Sequence, residues 1–166
     1  MTALPASDRA EALPLRPVRR KDAETLFAWA NLPEVLAVSI RRRGAVQWDE
    51  HCAWLAERLD DPQSVFWMLE QDGEAAGYLR LQGGEDGPEV SIYVGPAARR
   101  RGLGLAMLAR AREEQSIRWP GRALLARVRQ GNAAARAVFE AAGYRCAASH
   151  DDHLLFRDVC AKDPKR

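Results

Sequence analysis

The stretch Glu89-Val90-Ser91-Ile92-Tyr93-Val94-Gly95-Pro96-Ala97-Ala98-Arg99-Arg100-Arg101-Gly102-Leu103-Gly104 reads as a strand, a short loop and the opening of a helix. The helix runs from Gly102 to about Arg118, with Leu103, Met107, Leu108 and Ala111 on a broad apolar side. Pro120 and Gly121 stop it by Trp119. The loop between strand and helix has a chemistry of its own. The first N–H groups of a helix lack intrahelical partners, and with the macrodipole they favour an anion. Glycines let the backbone come close to such a ligand, and three adjacent arginines add charge-assisted donors for phosphate oxygens. The block therefore has the makings of a pyrophosphate cradle. A solvated turn with a glycine-assisted helix start uses the same residues, so the surroundings must decide.

Upstream, Leu13 to Val18 reads as an edge strand, because its prolines cannot sit in a central one. Asp22 caps a helix through Trp29, and Pro33 starts a second short piece near Val35 to Ser39. The helix from Trp48 to Leu59 places Trp48, Cys52, Leu55 and Leu59 on one face. Strands over 65–69 and 77–81 are joined across Asp72-Gly73, a hairpin signal, and with 89–94 they form an antiparallel meander. Downstream, a strand over 123–129 feeds a helix from Asn132 to Ala142, which ends at Gly143, and strands over 144–148 and 153–159 close the sheet. The fold class is α/β (α+β): one domain with a mixed, mostly antiparallel twisted sheet and helices on both faces. Residues 1–12 read as a flexible leader, 13–160 as the domain and 161–166 as a basic tail.

Composition narrows the classes without naming a function. At 166 residues with 47% hydrophobic content, the chain suits one globular domain with a sizeable core. A net charge of +2 gives no global field for nucleic acid, so the clusters Arg41-Arg42-Arg43 and Arg99-Arg100-Arg101 need local explanations. No apolar run approaches the roughly 20 residues of a membrane span. Cys52, Cys146 and Cys160 show neither a disulfide framework nor zinc spacing, which fits a reducing cytoplasm. His150-Asp151-Asp152-His153 falls where a hairpin turn is expected, and no metal site is expected there.

Arg99-x-x-Gly102-x-Gly104 after a strand resembles the acetyl-CoA signature of the GCN5-related N-acetyltransferases, and Asn132-x-x-Ala135-x-x-x-Phe139-x-x-x-Gly143-Tyr144 resembles that superfamily's second conserved stretch. The likeness covers about Leu13 to Val159. It implies an acetyltransferase domain using acetyl-CoA as acyl donor, with no metal. Ile92, Val94, Arg99, Arg100, Arg101, Gly102, Leu103, Gly104, Leu105, Asn132, Ala135 and Phe139 would then line the coenzyme site. The pantetheine would lie where strand 89–94 splays from strand 123–129, and the Asn132 side chain would hydrogen-bond it. A bulky residue at Gly104 is expected to fill the pyrophosphate space.

The amine would attack directly, which requires a base, a polarised carbonyl and an acid for the thiolate. Glu89, at the start of its strand, is the first candidate base, acting directly or through water, and His51, read as a helix-surface residue, is the second. Phe139 stands where the superfamily commonly has a tyrosine and cannot donate a proton. Tyr93, Tyr144 or water must substitute, and Tyr144 is expected to act with Glu89 in catalysis.

For the acceptor, the Trp29 to Val35 and Trp48 to Leu55 stretches resemble sugar-nucleotide N-acetyltransferases of the pseudaminic-acid pathway type, and ribosomal-protein acetyltransferases carry similar stretches. Trp29, Asn31, His51 and Arg80 are expected to meet the acceptor, with Arg41, Arg42, Arg43 and Arg80 near its phosphates and Trp29, Trp48 or Trp54 lining the pocket. The partner is then a small-molecule amine, with no nucleic acid and no membrane, and a homodimer is compatible with the reading. Two alternatives stay open: a protein or peptide N-terminal acetyltransferase, and a catalytically silent acyl-CoA-binding module.

Overall fold

The computed structural model describes residues 13–159. The expected leader and tail lie outside them, as does Cys160. The described chain forms a seven-stranded sheet in the order β1-β2-β3-β4-β5-β7-β6. Its strands are β1 (Leu15–Pro17), β2 (Ser64–Gln71), β3 (Glu74–Gln82), β4 (Glu89–Val94), β5 (Leu125–Arg129), β6 (Tyr144–Ser149) and β7 (His153–Asp158). The helices are α1 (Ala23–Ala30), α2 (Pro33–Ala37), α3 (Trp48–Asp60), α4 (Leu103–Arg118) and α5 (Ala133–Ala141).

Local chemistry explains most of these boundaries. β2 and β3 are joined by Asp72-Gly73 with both residues at positive φ, 52° and 79°, the geometry that matches the twist of a tight hairpin. β1 lies at the sheet edge, pairing antiparallel with β2 through Leu15, Arg16 and Pro17. Asp22 stands at the N-cap of α1 but makes no side-chain cap bond. Its carboxylate instead takes both Arg16 nitrogens at 2.8 Å and the Arg19 N–H at 2.8 Å, so the expected cap is replaced by an ion pair to the edge strand. On α3, Leu55 and His51 are buried while Trp48 is 42% exposed, so the buried face is rotated from the one the sequence pattern suggests. β5 begins two residues later than expected, at Leu125.

The sheet has two apolar faces. Leu79, Leu81, Val90 and Ala126 pack on Met107, Leu108 and Ala111 of α4, and Phe139 of α5 joins the same cluster. Met107 and Leu108 are 0% and 1% exposed, worth about 1.5–3 kcal/mol each in removed apolar surface. The opposite cluster gathers Leu26 of α1 and Leu55 of α3 against Phe66 and Met68 of β2.

The feature that positions the site is a break in the middle of the sheet. Every other neighbouring pair is antiparallel, whereas β4 and β5 run parallel and share a single register pair, Glu89 with Leu125. The Leu125 N–H donates to the Pro88 carbonyl at 2.9 Å just before it. Beyond that vertex the two strands diverge, leaving a cleft that opens toward Val94 and the start of α4.

Candidate active site

Alternation along β4 sorts the cleft into two sides. Val90, Ile92 and Val94 belong to the α4 cluster, and Glu89, Ser91 and Tyr93 point the other way. Antiparallel register sets Tyr78 beside Tyr93, Arg80 beside Ser91 and Gln82 beside Glu89. Parallel register brings Arg127 and Arg129 of β5 to the same side. This side holds two adjoining cavities.

The first, of about 240 Å³, is walled by Trp29, Trp54, Phe66, Tyr78 and Tyr93, with His51 at its base and Arg41, Arg42 and Arg80 at its rim. Trp29 lies 5.0 Å from Tyr93, and Tyr78 stacks on Tyr93 at 5.7 Å. The second, of about 230 Å³, is polar and is bounded by Glu89, Ser91, Arg127 and the Gly83 to Gly87 loop. Arg41 and Arg80 border both.

Glu89 therefore faces acceptor space. Its Oε2 takes a hydrogen bond from Arg127 Nη1 and lies 3.5 Å from Arg41 Nη2. His51 is 3% exposed and bonded through Nε2 to the Ala23 carbonyl at 2.9 Å, so it is a buried wall residue and not a helix-surface one. Burial, the larger effect, lowers its pKa below the ordinary 6.5, and the hydrogen bond opposes that. Asn31 has a different task from the one expected. Its Oδ1 accepts from Val46 N–H at 2.7 Å and its Nδ2 donates to the Val46 carbonyl at 3.2 Å, so it pins the loop that carries Arg41 and lines neither cavity.

At the other end of the cleft the loop 95–102 turns into α4. Arg100 and Gly102 hold left-handed φ values of 63° and 73°, and the first intrahelical acceptor is the Gly102 carbonyl, to Ala106 N–H at 3.1 Å. The amides of Leu103, Gly104 and Leu105 precede it, and their helix end is free for an anion. Arg99 crosses the cleft mouth, donating from Nε to the Val94 carbonyl at 3.0 Å and from Nη2 to Glu34 of α2 at 2.9 Å. Arg101 reaches Gln71 at 3.3 Å, and among the described residues Arg100 makes no ion pair. A Cβ on Gly104 would meet Val138 Cγ1 at 3.3 Å and Ile92 Cδ1 at 3.7 Å. Gly104 therefore permits close packing of α4 on the cleft wall, and bulk there would strike that wall first, not the pyrophosphate space.

Asn132 caps α5, its Oδ1 accepting from Ala135 N–H at 3.2 Å, which leaves the Nδ2 donor for a ligand. Phe139 and Tyr144 pack edge to face at 5.1 Å and are 5% and 2% exposed. The Tyr144 ring thus belongs to the core, whereas Tyr93 lines the aromatic cavity. Trp54 and Tyr78 complete that wall; of the three tryptophans expected there Trp48 lines neither cavity, and Tyr78 is not singled out by the sequence. The alternation of Tyr78 with Arg80 on β3 is the local sign of it.

A family model describing the acetyltransferase (GNAT) domain matches residues 12–145. The chain belongs to the GNAT acetyltransferases. Among curated proteins, none matches it by sequence. The fold of this GNAT acetyltransferase is similar to that of a domain from Methanocaldococcus jannaschii, with a TM-score of 0.76 at 18% identity over 87% of this chain and 96% of that one. It is also similar to spermidine N-acetyltransferase from Vibrio cholerae in complex with CoA and spermine, with a TM-score of 0.71 at 16% identity over 89% and 94% of the two chains. Ribosomal-protein-alanine N-acetyltransferase from Brucella melitensis gives 0.71 at 25% identity over 87% and 98%. The chain is accordingly an N-acetyltransferase with acetyl-CoA as donor. The splayed strands, the open helix end and the Asn132 donor fit a pyrophosphate with an extended arm. No described helix is long and apolar enough to cross a membrane, and no group of three metal-ligating side chains gathers among the described residues.

Proposed function

We propose that this GNAT acetyltransferase moves the acetyl group of acetyl-CoA to the primary amine of an amino sugar carried on a nucleotide diphosphate, acting in the cytoplasm. The observation that carries the reading is the lining of the acceptor side. Five aromatic rings wall a cavity whose only charged rim residues among those described are Arg41, Arg42 and Arg80, with no Asp or Glu. A polycationic acceptor finds no counter-charge in that cavity, the carboxylates of Glu85, Asp86 and Glu89 bordering the second one, whereas the rings suit a stacking partner and the arginines its phosphates.

In this reading Glu89 takes a proton from the acceptor ammonium, directly or through one water, at its Oε1, since Arg127 and Arg41 engage Oε2. The freed amine forms its N–C bond at the thioester carbonyl as the C–S bond breaks, and one of its two N–H protons leaves to water as the amide forms. A backbone N–H near Val94 serves the carbonyl oxygen, and Arg99 must release the Val94 carbonyl for the pantetheine to pair along that strand. The thiolate takes its proton from Tyr93 or from water, because Tyr144 is enclosed in the core. Burial raises the Tyr93 pKa, so the phenol keeps its proton at neutral pH.

The test is thiol release at saturating acetyl-CoA across three acceptors: a nucleotide-diphosphate amino sugar, a polyamine and a peptide with a free N-terminal alanine. Release with the first alone supports the reading, and release with the polyamine alone overturns it. The 25% identity to the Brucella enzyme favours the peptide amine as the second reading, and turnover of the peptide alone would establish it. Acetyl-CoA binding with no release from any amine would mark a silent binding module.

A further inference from the structure

Arg80 rises from the middle of β3, opposite Ser91. Its polar contact is Ser91 Oγ at 3.4 Å, and its guanidinium carbon lies 5.4 Å from the centre of the Trp54 ring. The other arginines at the mouth have partners. Arg127 and Arg41 meet Glu89, Arg42 pairs with Glu50 at 3.0 Å, and Arg129 donates to the Ser39 carbonyl at 2.7 Å. Among the described residues Arg80 forms no ion pair, and burial pulls its pKa below the ordinary guanidinium value. A partly buried cation without a counter-ion is costly, and this one borders both cavities.

We infer that Arg80, with Arg41 beside it, is the counter-ion site for the phosphate nearest the sugar. The inference rests on the amino-sugar reading above and adds where the anion lies. Arg80 is in register with Ser91, two residues from Glu89 on the same strand face, so the anion site and the base share one wall of the acceptor side. With Glu89 at the amine, the phosphate that reaches Arg80 is the one joined to the sugar. Arg41 supplies the second arm. Its side chain is 73% exposed on the loop that Asn31 pins, and its 3.5 Å approach to Glu89 leaves the guanidinium fork free to turn to a phosphate.

Inorganic phosphate is the first probe, titrated calorimetrically with CoA saturating so that the α4 loop is filled. The wild type should bind it, Arg80→Gln should weaken binding about tenfold or more, and Arg80→Lys, which keeps the charge, should fall between. Equal phosphate affinity in the wild type and Arg80→Gln would overturn the anion site even if amino-sugar nucleotides are acetylated. The second arm compares a free amino sugar, its 1-phosphate and its nucleotide diphosphate. A rise in KM of about tenfold for both phosphorylated forms in Arg80→Gln, with the free sugar unaffected, supports the assignment. A loss confined to the nucleotide form would overturn it, because the phosphate read would then not be the one nearest the sugar. Phosphate bound at Arg80 with no amino sugar acetylated would leave the anion site standing and remove the sugar. Arg80→Gln deletes an uncompensated charge, so its melting temperature should not fall, and Arg41→Gln repeats the comparison from a solvent-exposed position.

Discussion

Glu89 is gripped at one oxygen, and that grip shapes what its loss should do. Arg127 and Arg41 both address Oε2, and Oε1 has no protein partner among the described residues. Glu89→Gln keeps the shape and removes the proton acceptor, so kcat should fall about 10²-fold or more while acetyl-CoA affinity stays level. Steady-state kinetics with a calorimetric check on coenzyme binding reads this, and an unchanged kcat would remove Glu89 from the base role. His51 gives a residue-scale prediction of another kind. Its folded pKa is lowered, so the native state holds it neutral while the unfolded chain binds a proton below the ordinary 6.5. Its contribution is fully present above pH 6.5 and is lost as pH falls from there through its folded value. Denaturant melts between pH 7.5 and 5 should show that decline, and in His51→Gln the slope should flatten. Glu89, Arg80 and Trp29 are legible from residue type and place along a strand or helix. Asn31 and Tyr144 are not, since the partner of an amide fifteen positions away and the enclosure of a ring by α5 leave no local pattern.

The elements were read more surely than their ends and faces. Turn chemistry at Asp72-Gly73, the breaker Pro120-Gly121 and the period of α4 and α5 are short-range facts, and the structure keeps them. Asp22 shows the limit. A carboxylate at a helix start satisfies the capping rule, yet an arginine six residues back on the edge strand outcompetes the helix amides for it. The rotation of α3 toward His51 has the same origin, because Trp48 finds an edge contact with Phe27 at 5.1 Å while staying partly in solvent. At this scale the test is Asn132→Ala. The cap bond to Ala135 is lost, at about 1 kcal/mol of stability, and with it the Nδ2 donor. Acetyl-CoA affinity should weaken along with the thermal midpoint, whereas Asn132→Asp, which still caps, should recover the midpoint but not the affinity. If Asp recovers both, the pantetheine contact assigned to this amide is wrong.

At the scale of the molecule the coenzyme cleft is a discontinuity that something else must span. β1 to β4 and β5 to β7 are joined in the sheet by one register pair, so hydrogen-bonded strands cannot hold the two halves at a fixed angle. The apolar contacts of α4 do part of this. A further part passes through Asp158, which is 2% exposed at the end of β7 and receives Arg112 of α4 through Nε at 2.7 Å and Nη2 at 3.0 Å. The same Nη2 donates to the Ala142 carbonyl at 2.8 Å, just past α5, so one guanidinium ties β7 and the end of α5 to the helix that crosses the break. No sequence motif marks this pair, because its members are 46 residues apart and each looks like an ordinary surface charge. Asp158→Ala leaves the guanidinium without its forked acceptor and should cost about 3–5 kcal/mol, a fall on the order of 10 °C in melting temperature. If the tie also sets the cleft angle, Asp158→Asn, which retains an acceptor but not the charge, should keep more of the stability and still weaken acetyl-CoA binding. A loss under about 1 kcal/mol in the alanine variant would place Arg112 with the exposed pairs and leave the apolar face of α4 as the main brace across the break.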